Sequence, residues 1–253
     1  MTTKLRFTAR LLILILFLMP LYSQAEENSF LPEISRANDL YDSNQYKEAA
    51  AAYQDLIDRG LENGYLYYNL GNAYFRQGKI APSILYYLKA RRLIPRDESL
   101  QANLDYVIGK TADRLQPHSS GLLINLFFWI DDFNSAEHVK FLALVNLLFW
   151  ISLALWFRRR SGFWDATRKV FMSLLVLSML SCGVKIYIET RSSTGVILAK
   201  EIDVKSAQGT DNVTLFQLHE GAVISIVHKE NDWYQIELED GKKGWTQKEF
   251  VGS

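Results

Sequence analysis

The hydrophobic rhythm of this chain changes from segment to segment. Residues 11–21 are an apolar run behind a basic start. From about 26 to 116, apolar positions recur every three or four residues, the spacing of amphipathic helices. That spacing predicts helices over about 32–43, 46–59, 64–77, 80–93 and 97–112. Two further apolar stretches follow at 141–157 and 170–188. After residue 194 the period falls to two, the pattern of half-buried strands. Val196–Leu198, Ile202–Val204, Val223–Val227 and Tyr234–Leu238 read as such strands, with tight turns at Glu220-Gly221 and Asp240-Gly241.

The helical block repeats itself. Ala37-Asn38 falls on Gly71-Asn72 at an offset of 34, and Tyr41 falls on Phe75, Asn44 on Gly78, Ala49 on Ser83 and Tyr53 on Tyr87. Leu70-Gly71, Tyr74, Gly78, Tyr87, Ala90 and Pro95 follow the spacing of a tetratricopeptide repeat, which this region resembles. Small residues such as Ala49, Gly71 and Ser83 let the paired helices approach. Pro95 ends the second repeat, because proline cannot continue a helix interior. Asp97 then suits an N-cap for a closing helix over 97–112.

The resemblance implies repeats over about 30–63 and 64–97 and a binding groove on their first helices. Its positions map to Ile34, Asn38, Tyr41 and Asp42, and to Tyr68, Asn72, Phe75 and Arg76. In this family paired groove asparagines hold the backbone of an extended peptide. The alternative is that Asn38 and Asn72 are polar groove residues bonded to neighbouring helices.

Lys4, Arg6 and Arg10, the run Leu11–Leu21 and Ser23-Gln24-Ala25 have the organisation of a signal peptide, with cleavage expected after Ala25. An uncleaved signal anchor is the alternative. The run 141–157, extended back to Ala136, and the run 170–188 approach the roughly 20 residues that span a bilayer. They are expected as membrane helices over 136–157 and 170–188, joined by a basic loop over 158–169. That loop carries Arg158, Arg159, Arg160, Arg168 and Lys169 against one acid, Asp165. Short basic loops stay in the cytoplasm, so both soluble regions are expected outside an inner membrane, in the periplasm. A buried hairpin in a soluble protein is the alternative. Lys185 is expected to snorkel, and Asn146 to bond across to Ser173, Ser178 or Ser181. Within the linker 117–135, Leu122–Ile130 reads as an interfacial helix.

In the C-terminal region, 194–253, Leu218-His-Glu-Gly221, Asp232-Trp-Tyr-Gln-Ile236 and Asp240-Gly-Lys-Lys-Gly244-Trp245 resemble the bacterial SH3-like domain. Five short strands over 194–253 predict a small barrel. Strand alternation places Tyr234, Ile236 and Leu238 inward and Trp233 outward. Trp233 and Trp245 are candidates for a peptide or glycan surface. For Trp245 a place in the barrel core is the preferred reading.

Charge and chemistry narrow the function. Formal net charge is zero, which gives nucleic acid no long-range attraction. The single cysteine, Cys182, excludes an intramolecular disulfide. The histidines and Cys182 form no familiar metal spacing. Asp131, Asp132, Glu137 and His138 read as a polar turn that caps the first membrane helix rather than as metal ligands. No nucleophile–base set and no phosphate-cradling glycine loop is present, so a non-enzymatic protein without cofactor is expected.

The fold class expected is multidomain: an all-α tetratricopeptide repeat array over 26–116, a two-helix transmembrane hairpin and an all-β SH3-like barrel. With Leu66-Tyr-Tyr-Asn-Leu-Gly-Asn-Ala-Tyr74 and the C-terminal motifs, this order resembles BatE-type members of the Bat (aerotolerance) family. The resemblance implies an envelope complex with von Willebrand A domain membrane proteins and a MoxR-type ATPase, and a role in oxygen or stress tolerance. A cell-wall sensor that binds peptidoglycan through the SH3-like domain is the second reading.

Overall fold

The computed structural model describes residues 29–115, 129–191 and 193–253. The signal segment and residues 122–128 of the expected interfacial helix lie outside them. Five helices form the N-terminal region: α1 (Leu31–Asp42), α2 (Tyr46–Asp58), α3 (Gly64–Arg76), α4 (Ile80–Leu93) and α5 (Glu98–Ile108). Local chemistry sets their ends. The Asn63 side chain accepts the N–H of Tyr65 at 2.8 Å and of Leu66 at 3.2 Å. Asp97 does the same for Leu100 at 2.8 Å. The turns inside the two repeats need a left-handed residue, Asn44 at φ 61° and, 34 positions on, Gly78 at φ 75°.

The first repeat packs on Ala37, Ala49, Tyr53, Leu56, Leu66 and Leu70, all buried. Gly71 is required where helices α3 and α4 cross, because a Cβ there would lie 2.6 Å from the Tyr87 ring. The second repeat has a different neighbour. Ile84, Tyr87, Leu88, Leu100, Leu104 and Ile108 share one buried cluster with Val196 and Val223 of the C-terminal sheet.

That sheet has seven strands: β1 (Ser193–Ile197), β2 (Glu201–Lys205), β3 (Thr214–His219), β4 (Val223–Glu230), β5 (Trp233–Glu237), β6 (Lys243–Gln247) and β7 (Val251–Gly252). Their order is β3-β2-β6-β5-β4-β1-β7. The sheet is therefore not closed. β3 and β7 stand at opposite ends, and the expected five-stranded barrel becomes an open antiparallel sheet. The short seventh strand pairs only with β1, through Val196–Gly252 and Ile197–Val251. Ile197, Ile202, Val204, Leu218, Ile224, Ile226 and Ile236 fill its core, with Leu115 packed against them.

The repeats and the sheet meet through a specific joint. Gly221, at φ +84°, brings its backbone against Thr111 and Ile84, and a Cβ there would lie 2.6 Å and 3.2 Å from them. The Asp113 carboxylate accepts the His219 backbone N–H at 2.7 Å and lies 3.1 Å from its Nδ1. Gly252 packs on Leu85 of α4. The sheet thus covers the apolar end of the array, which in longer arrays is covered by further repeats.

Two long helices stand apart from these cores: α6 (Ser135–Arg159) and α7 (Gly162–Arg191). Each has a mean hydropathy of 1.9 over its apolar window and is long enough to cross a membrane. They pack on each other through Val145, Ser152, Ser178, Ser181 and Cys182, while Phe141, Leu144, Trp150, Val176 and Leu180 point outward. The expected loop over 158–169 is a correction. Only Arg160 and Ser161 separate the helices, and the rest of the basic stretch is helical. Asp165 accepts from Arg168 and Lys169, at 2.5 and 2.7 Å, and so supports the first turns of α7.

The expected bond from Asn146 across the seam is not formed among the described residues. Ser178 Oγ instead donates to the Leu175 carbonyl of its own helix, and Ser181 Oγ accepts from Trp129 Nε1 at 2.9 Å. The Lys185 ammonium, expected to snorkel, donates to the Ile130 carbonyl at 3.0 Å and lies 3.7 Å from Glu189.

The hairpin is tied to the repeats at the start of α6. Asn134 Oδ1 accepts the Glu137 N–H in a reciprocal capping box at the start of α6. Its Nδ2 donates at 2.7 Å to the Leu93 carbonyl, at the end of α4. Arg96 adds an ion pair to Glu137 at 2.5 Å and lies over the Phe133 ring.

Candidate functional site

The repeats present a groove built from two equivalent polar triads. In the first, Asn38 Oδ1 accepts from Tyr53 Oη at 2.7 Å and from Asn69 Nδ2 at 3.2 Å. In the second, Asn72 Oδ1 accepts from Tyr87 Oη at 2.6 Å and from Asn103 Nδ2 at 3.2 Å. Every member lies 34 residues from its counterpart. Both tyrosine rings are buried, and each carries its hydroxyl up to the groove floor. The bonds fix each carboxamide with its oxygen inward, and no protein acceptor takes the Nδ2 of Asn38 or Asn72 among the described residues. A cleft of about 300 Å³ lies over the first triad, lined by Asn38, Tyr41, Asp42, Tyr53 and Asn69.

The other expected groove residues divide. Tyr41 is half-buried on the cleft wall, edge-on to Tyr46 at 5.2 Å. Tyr68 accepts from Asn103 Nδ2 at 2.8 Å and tilts against Tyr87, so it belongs to the second triad. Phe75 contacts Tyr106 edge-on at 5.8 Å and packs on the second-repeat cluster, which makes it a wall rather than a contact point. Arg76 is exposed, but its guanidinium lies over the Tyr46 ring at 4.8 Å and donates to that hydroxyl. Reading the sequence by groove positions missed Asn69, Asn103 and Tyr46. The offset of 34 between Asn69 and Asn103 was the available signal.

Burial pushes the Tyr53 and Tyr87 phenols well above their usual range. Burial, with Tyr74 nearby, pushes Tyr86 up to about 12. A tyrosine whose folded pKa lies above its unfolded value stabilises the fold fully below about pH 10. That contribution is lost as pH rises through the folded value. Helix content of the array is therefore expected to hold to about pH 10 and to fall between there and pH 12. Far-ultraviolet circular dichroism followed beside tyrosinate absorbance checks this, because the two should change together.

The array is also polarised in charge. Residues 29–63 carry seven acidic and three basic side chains, whereas residues 64–96 carry six basic and no acidic ones. The distribution opposes a uniformly charged ligand and suits one with basic groups over the first repeat and acidic groups over the second.

On the sheet, Trp233 and Trp245 share one face. Tyr234, Ile236, Gly244 and Thr246 are buried, so Trp233, Gln235, Trp245 and Gln247 point to the other side. The expected core position of Trp245 is corrected by this register. Gly244 faces the core against Val204, where a side chain would collide, and parity turns Trp245 outward. Trp245 is half-buried, with His228 edge-on at 6.1 Å.

Residues 34–98 match the tetratricopeptide repeat family. Residues 205–251 match the bacterial SH3 domain. No curated protein matches the chain. Both families are binding modules that are typically non-catalytic, and neither indicates an enzyme. The two matches suggest protein or peptidoglycan binding. Its two apolar helices suggest membrane association.

Proposed function

We propose that this protein is a non-enzymatic, membrane-anchored scaffold whose repeat groove holds an extended segment of a partner protein. The observation that carries the proposal is the pair of oriented carboxamides, Asn38 and Asn72, each fixed by a buried tyrosine. Two outward N–H groups one repeat apart suit the carbonyls of an extended chain, and Asp42 beside the first suits a basic side chain. The wider assembly we infer is an envelope complex of the Bat type. Its partners would be von Willebrand A domain membrane proteins and a MoxR-type ATPase system, on the resemblance of the domain order.

The shared core of repeats and sheet supports one element of topology. The repeats precede the hairpin and the sheet follows it, so a hairpin that crosses a bilayer must leave both on the same side. With the basic tip in the cytoplasm, both modules are periplasmic at an inner membrane, after removal of residues 1–25.

The test is capture of partners from solubilised membranes by the tagged full chain. Asn38→Ala with Asn72→Ala is expected to reduce capture roughly tenfold, from the loss of two hydrogen bonds, while Trp233→Ala leaves it unchanged. Equal capture by the asparagine variant would falsify the groove assignment.

The outward pair Trp233 and Trp245 favours a second reading, a peptidoglycan anchor. In that case the full chain in detergent sediments with purified cell wall, and Trp245→Ala abolishes sedimentation while the asparagine variant does not.

A further inference from the structure

The tip of the α6–α7 hairpin gathers positive charge that the protein does not neutralise. Residues 158–169 hold five basic side chains and one acid. The acid, Asp165, is already shared by Arg168 and Lys169. Arg158, Arg159 and Arg160 are exposed, and none has a carboxylate within salt-bridge distance among the described residues. Two guanidinium groups are moreover drawn to one indole. Arg160, whose left-handed backbone ends α6, lies with Cζ 4.9 Å from the Trp156 ring centre, and Arg168 comes to 4.1 Å of the same ring. Like charges gathered around one ring repel, and an anion beside them offsets the repulsion.

The surroundings of these arginines are apolar. Phe157 is 58% exposed and Phe163 70% exposed, at the ends of helices whose outward faces are apolar. Free guanidinium groups beside exposed rings at the end of a bilayer-length helix match the level of phospholipid headgroups. A free phosphate ion would satisfy the arginines but leave the rings in water, so the surface fits a lipid.

We propose that the hairpin tip is a site for an anionic phospholipid. Arg159 and Arg160 donate to its phosphate, and Trp156 and Phe157 set the depth at which they sit. The proposal rests on the reading that α6 and α7 cross a bilayer. It gives the tip a binding role in addition to fixing orientation, because guanidinium forks match phosphate oxygens two at a time.

The experiment places the full chain in nanodiscs of phosphatidylcholine mixed equally with phosphatidylglycerol. Native mass spectrometry then identifies the lipids that stay bound. The bound ratio of phosphatidylglycerol to phosphatidylcholine is expected to be well above the ratio in the disc, and Arg159→Gln with Arg160→Gln to lower that bound ratio roughly tenfold. Arg92→Gln, on the repeat surface, leaves it unchanged, and added inorganic phosphate does not displace the lipid. Retention in proportion to disc composition would overturn the proposal. So would an unaltered tip variant, or full displacement by inorganic phosphate. Failure of the membrane reading looks different: the chain would not enter the discs, and alkaline carbonate would release it from native membranes.

Discussion

Gly221→Ala is expected to lower the stability of the chain by about 3 kcal/mol, the sum of a positive-φ penalty and an overpacking penalty. The new Cβ would lie 2.6 Å from the Thr111 methyl and 3.2 Å from Ile84. Thr111 cannot retreat cheaply, because its hydroxyl donates to the Ile108 carbonyl and accepts the Arg114 N–H. Gly241 supplies the control. Its φ of +81° is nearly the same, but nothing lies within 4 Å of where its Cβ would be. Gly241→Ala should therefore cost only the backbone penalty, about 1 kcal/mol. The difference between the two variants isolates the joint between array and sheet. Denaturant unfolding of the full chain in detergent measures both, and hydrogen exchange locates the damage. In Gly221→Ala the amides of α4 and α5 should lose protection together with those of β1 and β4. Loss confined to the sheet would mean that the array does not depend on it.

The second large effect belongs to the triads. Tyr53→Phe with Tyr87→Phe is expected to cost about 3 kcal/mol, near the upper end of two buried hydrogen bonds. Each change removes one donor from a groove asparagine and leaves it held only by Asn69 or Asn103. The single variants should cost similar amounts, because they are the same position of successive repeats. They should also add, since the two hydroxyls serve different asparagines. Partner capture should fall in the double variant even under conditions where it remains folded, because the carboxamides are then free to turn. Retained capture by a folded double variant would show that the tyrosines serve stability alone.

Much of the architecture was legible in the residues. Helix periodicity placed α1 to α5 within a few residues, because amphipathic spacing and local stops such as Asn63, Gly78 and Asp97 act through near neighbours. The long apolar runs were equally plain. Polarity misled at 158–169, where charge suggested a loop throughout; the backbone leaves the helix only at Arg160 and Ser161. Trp245 was read as a residue of the core of a small barrel. The deciding fact was its smaller neighbour Gly244, which takes the inward position against Val204 from a strand distant in sequence. The triads were half legible: Asn38 and Asn72 stood out, but Asn69 and Asn103 acquire meaning only when α3 and α5 lie beside α1 and α3.

By itself the sequence determined the kinds of element, their order and the repeat that relates Asn38 to Asn72, because each of these rests on contacts between residues close in the chain. Only the tertiary structure decided which apolar faces meet. Ile84, Leu88, Val196 and Val223 each pass for the core of their own module, and nothing local distinguishes a residue that packs within a module from one that packs between two. Their union in one cluster comes from a close approach at Gly221, between segments separated by more than 100 residues. Burial of that kind is a property of surfaces brought together, and so it becomes visible only when both surfaces are in place.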